Sequence, residues 1–380
     1  MVKENTTYLS IGSNLGNRFL TIQKAIFQLH RSGCPVQKVS TVYENPAVGF
    51  DGANFLNACF SIKTALSPEA LLNLIATLEK DFGRERTQEG YASRSIDLDI
   101  LYYGDEVVQT DSLTIPHPRM TERNFVLKPL ADIAPQHYHP VLKKDTRNLL
   151  QECQDKNILK KTLHRLYPSR EALFGKLQFL SIEGNIGAGK STLTKMIAAD
   201  YNAKLVLERF ADNPFLPKFY EDRVRYAFPL EMSFLADRYQ QFTDDTSQFD
   251  LFKKFMVSDY DIFKSLIFAK ITLQKEEFEL YRKVFGFMYK EVKKPDIYVY
   301  LYQNTERLLS NIKKRGRDYE QNISADYLDK INRGYLDFIK GHPQQTTLLI
   351  SLETLDFVAR KEDYEAILDR IETKLIEILH

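Results

Sequence analysis

Apolar residues change their spacing repeatedly along the first half of the chain, and the changes predict short strands alternating with helices. Residues 7–11 alternate as a strand does and run into the turn Gly12-Ser13-Asn14-Leu15-Gly16. Residues 18–30 carry Phe19, Ile22, Ile26 and Leu29 on one helical face. Residues 36–43 and 55–64, rich in apolar, β-branched and aromatic side chains, predict strands. Ser67-Pro68-Glu69 supplies a cap, a first-turn proline and an early acid, so a helix begins there. Leu71, Leu74, Ile75 and Leu78 form its apolar face, and Gly83 ends it. Residues 96–103 predict a further strand, and beyond Pro116 the pattern becomes loop, short helix and a proline-punctuated tail.

The second half is built differently. Residues 178–183 predict a strand, a glycine-rich loop follows, and 190–201 predict a helix. A second strand falls at 204–207, aromatic-rich helical stretches occupy much of 228–290, and strands return at 297–302 and 348–351. Strands alternating with helices of this length argue a parallel sheet covered on both faces. Residues 150–176 are charged and broken by Pro168-Ser169-Arg170. The expected division is therefore a domain at 1–160, a linker at 161–176 and a second domain at 177–380. A chain of 380 residues suits two domains, and no internal repeat relates the halves.

Composition adds exclusions. A net charge of +1 provides no global field for nucleic acid or an anionic membrane, so neither is expected as a partner and any anion must be bound by local clusters. Cys34, Cys59 and Cys153 are widely spaced and odd in number, which predicts reduced thiols. The first residues lack the apolar run of a signal peptide, and no 18-residue apolar stretch follows. The expectation is a cytoplasmic protein.

Two clusters carry chemistry. In Arg94-Ser-Ile-Asp97-Leu-Asp99-Ile100, alternation puts both aspartates on one face of a strand. Two close carboxylates need cations beside them, and Mg²⁺ takes hard oxygen ligands that it shares with phosphates. Scattered acids on an exposed strand would look the same in isolation. Here, however, Arg84, Arg86, Arg94, Arg119 and Arg123 surround the pair together with His117, and the planar arginine fork matches phosphate oxygens.

Residues 7–142 resemble the 6-hydroxymethyl-7,8-dihydropterin pyrophosphokinases of folate biosynthesis. The matching text is Ile11-Gly12-Ser13-Asn14-Leu15, Asn45-Pro46 with Gly49, Phe55-Leu56-Asn57-Ala58, Gly83-Arg84-x-Arg86, Arg94 through Ile100, and Pro116-His117 through Pro135. The resemblance implies a ferredoxin-like α+β fold and pyrophosphoryl transfer from ATP to the pterin hydroxymethyl group, with release of AMP and two Mg²⁺ ions. It implies that Asp97 and Asp99 hold the metals and that Arg84, Arg94, His117 and Arg123 grip the triphosphate, with Arg86 assisting. The pterin would lie between Phe55 and Phe125, with Asn57 bonding its edge, Asn45 also binding it and Glu79 close to the pocket. Gly90-Tyr91 departs from members that carry arginine and tryptophan there, which is expected to alter loop closure and rate rather than reaction type.

The second cluster, Gly184-Asn185-Ile-Gly187-Ala-Gly189-Lys190-Ser191-Thr192, lies between a strand and a helix, the setting of a P-loop. Backbone N–H groups and the helix N-terminus would cradle phosphates, Lys190 bridge the outer two, and Ser191 reach one Mg²⁺. With Leu207-Glu208-Arg209, Asp212-Asn213-Pro214-Phe215-Leu216 and Lys314-Arg315-Gly316-Arg317, it resembles the deoxynucleoside kinases over about 177–342. That resemblance implies an α/β P-loop kinase fold and γ-phosphoryl transfer from ATP to a nucleoside 5′-hydroxyl. Glu208 would be the base, Arg315 and Arg317 a lid, and Asp259 a water-mediated metal ligand. Nucleoside kinases commonly dimerise, and residues 262–290 are apolar enough for a homodimer.

Three departures stand out. Glu231 occupies the place of a base-reading glutamine. A carboxylate only accepts, which suits guanine's N1–H and N2–H₂, or the similar edge of a pterin. Asp259-Tyr260-Asp261 replaces an acid-Arg-Ser strand end, and Asn311 stands where another arginine is common. The loss of two cations leaves two expectations open: an active kinase, or a catalytically weak ATP-binding or dimerisation module.

Overall fold

A computed structural model describes residues 4–47, 52–83, 93–209, 213–247 and 252–380. The chain forms two compact units, one of residues 1–173 with 376–380 and one of 174–375. Among the described residues no helix is long and apolar enough to cross a membrane.

In the N-terminal unit, β1 (Asn5–Ser13), α1 (Arg18–Arg31), β2 (Val36–Val39), β3 (Tyr43–Asn45), β4 (Phe55–Thr64), α2 (Pro68–Asp81) and β5 (Asp97–Tyr103) follow one another. The short strands β6 (Val108–Gln109) and β7 (Thr114–Ile115) come next, then α3 (Asn124–Ile133), α4 (Thr146–Glu152) and β8 (Lys160–Lys161). The main sheet has the order β5-β1-β4-β3-β8, β2 also pairs with β4, and every pairing is antiparallel. Period-two alternation explains why β4 is buried almost throughout. Cys59 joins the α3 cluster of Val126, Leu127 and Leu130, while Ala58 and Phe60 point to the opposite face and are buried as well. Helix α1 buries Phe19, Ile22, Ile26 and Leu29, the face its spacing predicts. Ser67 caps α2 by accepting the Ala70 amide at 3.2 Å.

The strand expected over 36–43 is broken at Ser40, which lies between β2 and β3. Its hydroxyl accepts the Cys59 amide at 2.9 Å and its own amide donates to the Cys59 carbonyl at 2.8 Å, so a side chain replaces a ladder bond. Further on, the buried Gln23 exchanges two hydrogen bonds with the Tyr167 backbone, at 2.9 and 2.8 Å.

After α5 (Arg170–Phe174), the C-terminal unit runs β9 (Phe179–Gly184), α6 (Lys190–Asp200), β10 (Lys204–Val206), α7 (Leu216–Glu221), α8 (Arg223–Ser247) and β11 (Met256–Ser258). It continues α9 (Phe263–Thr272), α10 (Lys275–Tyr289), β12 (Ile297–Tyr302), α11 (Thr305–Arg315), α12 (Ala325–Gly341), β13 (Thr347–Ser351) and α13 (Lys361–Leu379). The sheet is parallel, in the order β10-β11-β9-β12-β13, with all of β9 buried at its centre. The three-residue strand β11 lies within the stretch expected to be mainly helical. Parallel strands end on one edge, so the loops leaving β9, β10 and β11 emerge side by side. In open α/β sheets that edge is where ligands bind.

Candidate functional sites

The first site is assembled by sheet register. Asn57 of β4 lies opposite Gly12 of β1, and Gly12 lies opposite Asp97 of β5, so the three form a row across the sheet. A Cβ at Gly12 would come within 2.7 Å of Asn57 Oδ1 and 3.7 Å of the Phe55 ring. Glycine is therefore required for the Asn57 side chain to lie across the strand. Asn57 donates through Nδ2 to Asn45 Oδ1, and Asn45 pairs with Phe55, which brings Asn45, Phe55 and Asn57 together.

Asp97 and Asp99 share one face of β5. Arg94 Nη1 lies 2.9 Å from Asp97 Oδ2. His117 Nε2 and Arg123 Nη1 each lie 3.8 Å from Asp99 Oδ2. His117 Nδ1 accepts the Arg119 amide at 3.2 Å, which leaves the proton of the neutral ring on Nε2, facing Asp99. Burial lowers the His117 pKa against the opposing pull of Asp99. Arg123 lies 5.7 Å from the centroid of Phe125, whose ring packs against the α3 cluster.

Two residues hold this arrangement in place. Asn14 accepts the Arg94 amide at 2.6 Å and donates to Ser93 and Ala53, pinning the segment before β5. Glu79 is buried on α2 and accepts the Leu98 amide at 2.9 Å, between the two aspartates. The positioning role of Asn14 was present in the sequence only as part of a motif. Gly49, Arg84, Arg86, Gly90 and Tyr91 lie outside the described residues.

The second site lies at the carboxyl edge of the parallel sheet. The loop from Gly184 to Gly189 leaves β9 and opens α6, and Gly189, the N-cap, has φ +88°. A Cβ at Gly187 would meet the Leu308 carbonyl at 3.0 Å, so the loop lies against α11. There Asn311 Nδ2 donates to the Gly187 carbonyl at 2.9 Å. Asn311, expected only as a missing cation, thus anchors the loop. Asn185 is fully buried and donates to Leu328 O and Asn332 Oδ1, both at 2.8 Å, so its side chain shapes the loop from within. Thr192 is exposed in the first turn of α6. Lys190 Nζ curls back to the carbonyls of Gly184 and Asn185, at 2.9 and 2.8 Å. Burial, with the charge of Lys264, lowers its pKa to about 8.

Asp259, just beyond β11, joins two strand ends. Oδ2 accepts from Ser191 Oγ, and Oδ1 accepts the Glu208 amide at 2.8 Å. The Glu208 side chain follows β10 and is doubly ion-paired. Arg238 of α8 reaches Oε1 through Nε at 2.9 Å and Nη2 at 2.5 Å, and Lys264 of α9 reaches Oε2 at 2.6 Å. Burial alone would raise this carboxyl, but Lys264 and Arg238 outweigh it and hold the pKa far below the usual range. The sequence expectation that supporting cations are missing is therefore modified: Arg238 and Lys264 stand at Glu208, supplied by helices on either side of β11.

A cleft of about 850 Å³ extends from these groups. Lys190, Ser191, Glu208, Asp259 and Lys264 lie at its polar end. Phe219, Phe234, Phe268 and Tyr327 line its apolar part, where Glu231 is found. Glu231 is 3% exposed, its Oε1 accepts from Thr272 Oγ1 at 2.9 Å, and Oε2 has no partner among the described residues. Burial raises its pKa to about 7. Arg315 and Arg317 border the cleft and both pair with Glu320.

The two units thus present separate clusters, one of paired carboxylates among cations and one of a glycine-rich loop beside the cleft of a parallel sheet. Comparison with known proteins agrees. Residues 8–135 match the family described as 7,8-dihydro-6-hydroxymethylpterin-pyrophosphokinase, and residues 180–377 match the family described as deoxynucleoside kinase. The chain belongs to both families, one through each unit. It is 42% identical over 156 residues to 2-amino-4-hydroxy-6-hydroxymethyldihydropteridine pyrophosphokinase of Aquifex aeolicus, covering 41% of this chain and 94% of that protein. It is 35% identical over 202 residues to deoxyguanosine kinase of Bacillus subtilis, covering 52% of this chain and 98% of that protein. Among solved structures, deoxyadenosine kinase of M. mycoides matches with 24% identity and a TM-score of 0.45, covering 52% of this chain and all of that one.

Proposed function

We propose that the chain is a bifunctional ATP-dependent transferase, with a pterin pyrophosphokinase in residues 1–160 and a deoxynucleoside kinase in residues 177–380. The first activity transfers pyrophosphate from ATP to 6-hydroxymethyl-7,8-dihydropterin and releases AMP. The second transfers the γ-phosphoryl group of ATP to a deoxynucleoside 5′-hydroxyl, with a preference for guanine. The strand order β5-β1-β4-β3 around α1 and α2 supports a ferredoxin-like reading of the first fold.

Support for the first activity comes from the grouping of Asp97 and Asp99 with Arg94, His117 and Arg123. The carboxylates of Asp97 and Asp99 are hard oxygen donors that fit two Mg²⁺ ions, which would offset phosphate charge and align ATP with the acceptor. Arg94 and Arg123 then hold phosphate oxygens beside Arg84 and Arg86, His117 Nε2–H donates to a phosphate oxygen, and Asn57 bonds the pterin edge beside Phe55.

The observation that carries the second activity is the chain Ser191–Asp259–Glu208, which links the phosphate loop to the acceptor base within one cleft. Ser191 and Asp259 fit one Mg²⁺. The buried Glu231 oxygen that has no partner among the described residues supports the guanine preference, in keeping with the name of the Bacillus relative. Exposed Leu280 and Phe287, seven residues apart on α10, support self-association as a further role of this unit, which light scattering of the intact chain would test.

Asp97→Ala tests the first assignment. It is expected to abolish AMP formation from the pterin while ATP still binds at residues 184–191. Continued AMP release would remove the metal assignment.

A further inference from the structure

We propose that Lys264 is the mobile cation of the second site: it leaves Glu208 to meet the transferring phosphoryl group of ATP, and so frees one oxygen of Glu208 for the acceptor hydroxyl. This rests on the kinase reading above. Three observations carry it.

The first is that Glu208 as it stands has both oxygens occupied. Arg238 holds Oε1 with two nitrogens and Lys264 holds Oε2. Each carboxylate oxygen can accept more than one bond, but Oε1 already takes two from Arg238, so an arriving hydroxyl has its place at Oε2, where Lys264 sits. The second is that the two cations are anchored very differently. Arg238 also donates through Nη1 to Ser265 at 2.6 Å, and its guanidinium lies 4.9 Å from the Phe234 centroid, so it is fixed on several sides. Lys264 Nζ makes a single hydrogen bond among the described residues and lies 5.5 Å from the Phe268 centroid, on a flexible stem with three rotatable donors. The third is position. Lys264 is buried, borders the cleft with Lys190 and Ser191, and lies close enough to Lys190 for its charge to be felt there. With Tyr260 standing where the family arginine would be, Lys264 supplies a cation to this part of the cleft.

In the transfer, the bond from the nucleoside O5′ to the γ-phosphorus forms and the bond from that phosphorus to the β,γ-bridging oxygen breaks. ADP leaves, and the hydroxyl proton passes to Glu208 and then to solvent. Lys264 offsets charge on the equatorial phosphoryl oxygens while the O5′–P bond forms, where a positioned cation contributes most.

The test uses the full chain with Lys264→Ala and Lys264→Arg. Lys264→Ala is expected to lower kcat for deoxyguanosine by about 10²–10³-fold with its KM within about threefold, since one positioned donor is worth that much. Lys264→Arg should recover at least about tenfold, and added methylammonium should stimulate Lys264→Ala but not the parent. A kcat within about threefold of the parent, or a loss that neither arginine nor the amine recovers, would overturn the proposal. If the parent phosphorylates no deoxynucleoside, the kinase reading fails on its own, and the ratio of ATP to ADP affinity decides on Lys264. An at least tenfold fall in that ratio in Lys264→Ala supports the phosphoryl contact, and an unchanged ratio refutes it.

Discussion

Substituting Glu231 by glutamine tests how the second site reads a base. In the parent, the buried carboxylate presents Oε2 unpaired and Oε1 bonded only to Thr272 among the described residues. Two acceptors suit the N1–H and N2–H₂ of guanine. Glutamine would turn one acceptor into a donor facing N1–H, while matching the N6–H₂ donor and N1 acceptor of adenine. A buried N–H left facing a donor costs about 2–3 kcal/mol, or about 30–150-fold in kcat/KM. Deoxyguanosine should lose that factor in Glu231→Gln, and deoxyadenosine should gain.

Proton binding makes the same point within the parent. Because burial raises the Glu231 pKa from 4.5 to about 7, the carboxylate dominates at about pH 8.5 and the acid at about pH 5.5. The protonated acid donates and accepts as glutamine does. The parent's deoxyguanosine-to-deoxyadenosine preference should therefore fall as pH drops through 7, whereas that of Glu231→Gln should stay flat. Stability carries the matching sign. For an acid whose folded pKa is raised, the penalty is absent below pH 4.5, grows toward 7 and is complete above it. At about 1.4 kcal/mol per unit, Glu231→Gln should stabilise the folded state by about 3 kcal/mol at alkaline pH and by little near pH 4.5. Steady-state kinetics with both nucleosides at the two pH values, beside denaturant titrations, provide the assay. A preference unmoved by both the substitution and pH would refute the role of Glu231 as base reader.

Two other predictions concern the N-terminal unit. Gln23→Ala removes two buried hydrogen bonds to the Tyr167 backbone and should cost about 2–4 kcal/mol in denaturant unfolding; a change below about 0.5 kcal/mol would show that water replaces them freely. His137 and His139 are both held neutral by burial, and the His137 ring packs 4.8 Å from Tyr8 and 4.3 Å from Tyr102. Their contribution is intact above about pH 6.5 and lost below it, so the unit should weaken toward pH 5 and His137→Phe should flatten that trend; an equally steep trend in the variant would assign the acid sensitivity elsewhere.

Much of this was legible in the sequence because it is local. Helices α1 and α2 declared themselves by apolar spacing and by the Ser67 cap, β4 by its apolar, β-branched and aromatic residues, and β12 by an unbroken apolar run. The glycine-rich loop was legible because its φ values and close approaches admit little else. What escaped is non-local. The break at Ser40 depends on Cys59, and the packing of residues 160–167 depends on β3 and Gln23. Strand β11 is too short to show a period and was legible only through the strand end that the kinase resemblance implies at Asp259. Arg238 and Lys264 lie 30 and 56 residues from Glu208, in helices whose sequence gives no sign that they converge on it. Reading Asp259-Tyr260-Asp261 alone suggested a site short of positive charge; the fold supplies that charge from α8 and α9.

Two phosphotransfer activities in one chain would give different products from ATP, and product analysis distinguishes them directly. Purified chain with ATP and Mg²⁺ would be offered hydroxymethyl-dihydropterin and deoxyguanosine in separate reactions. The expected products are AMP with the pterin and ADP with deoxyguanosine, the latter lost in Lys190→Ala and the former retained. No AMP from the pterin, or no ADP from any deoxynucleoside while ATP remains bound at the glycine-rich loop, would contradict the bifunctional assignment.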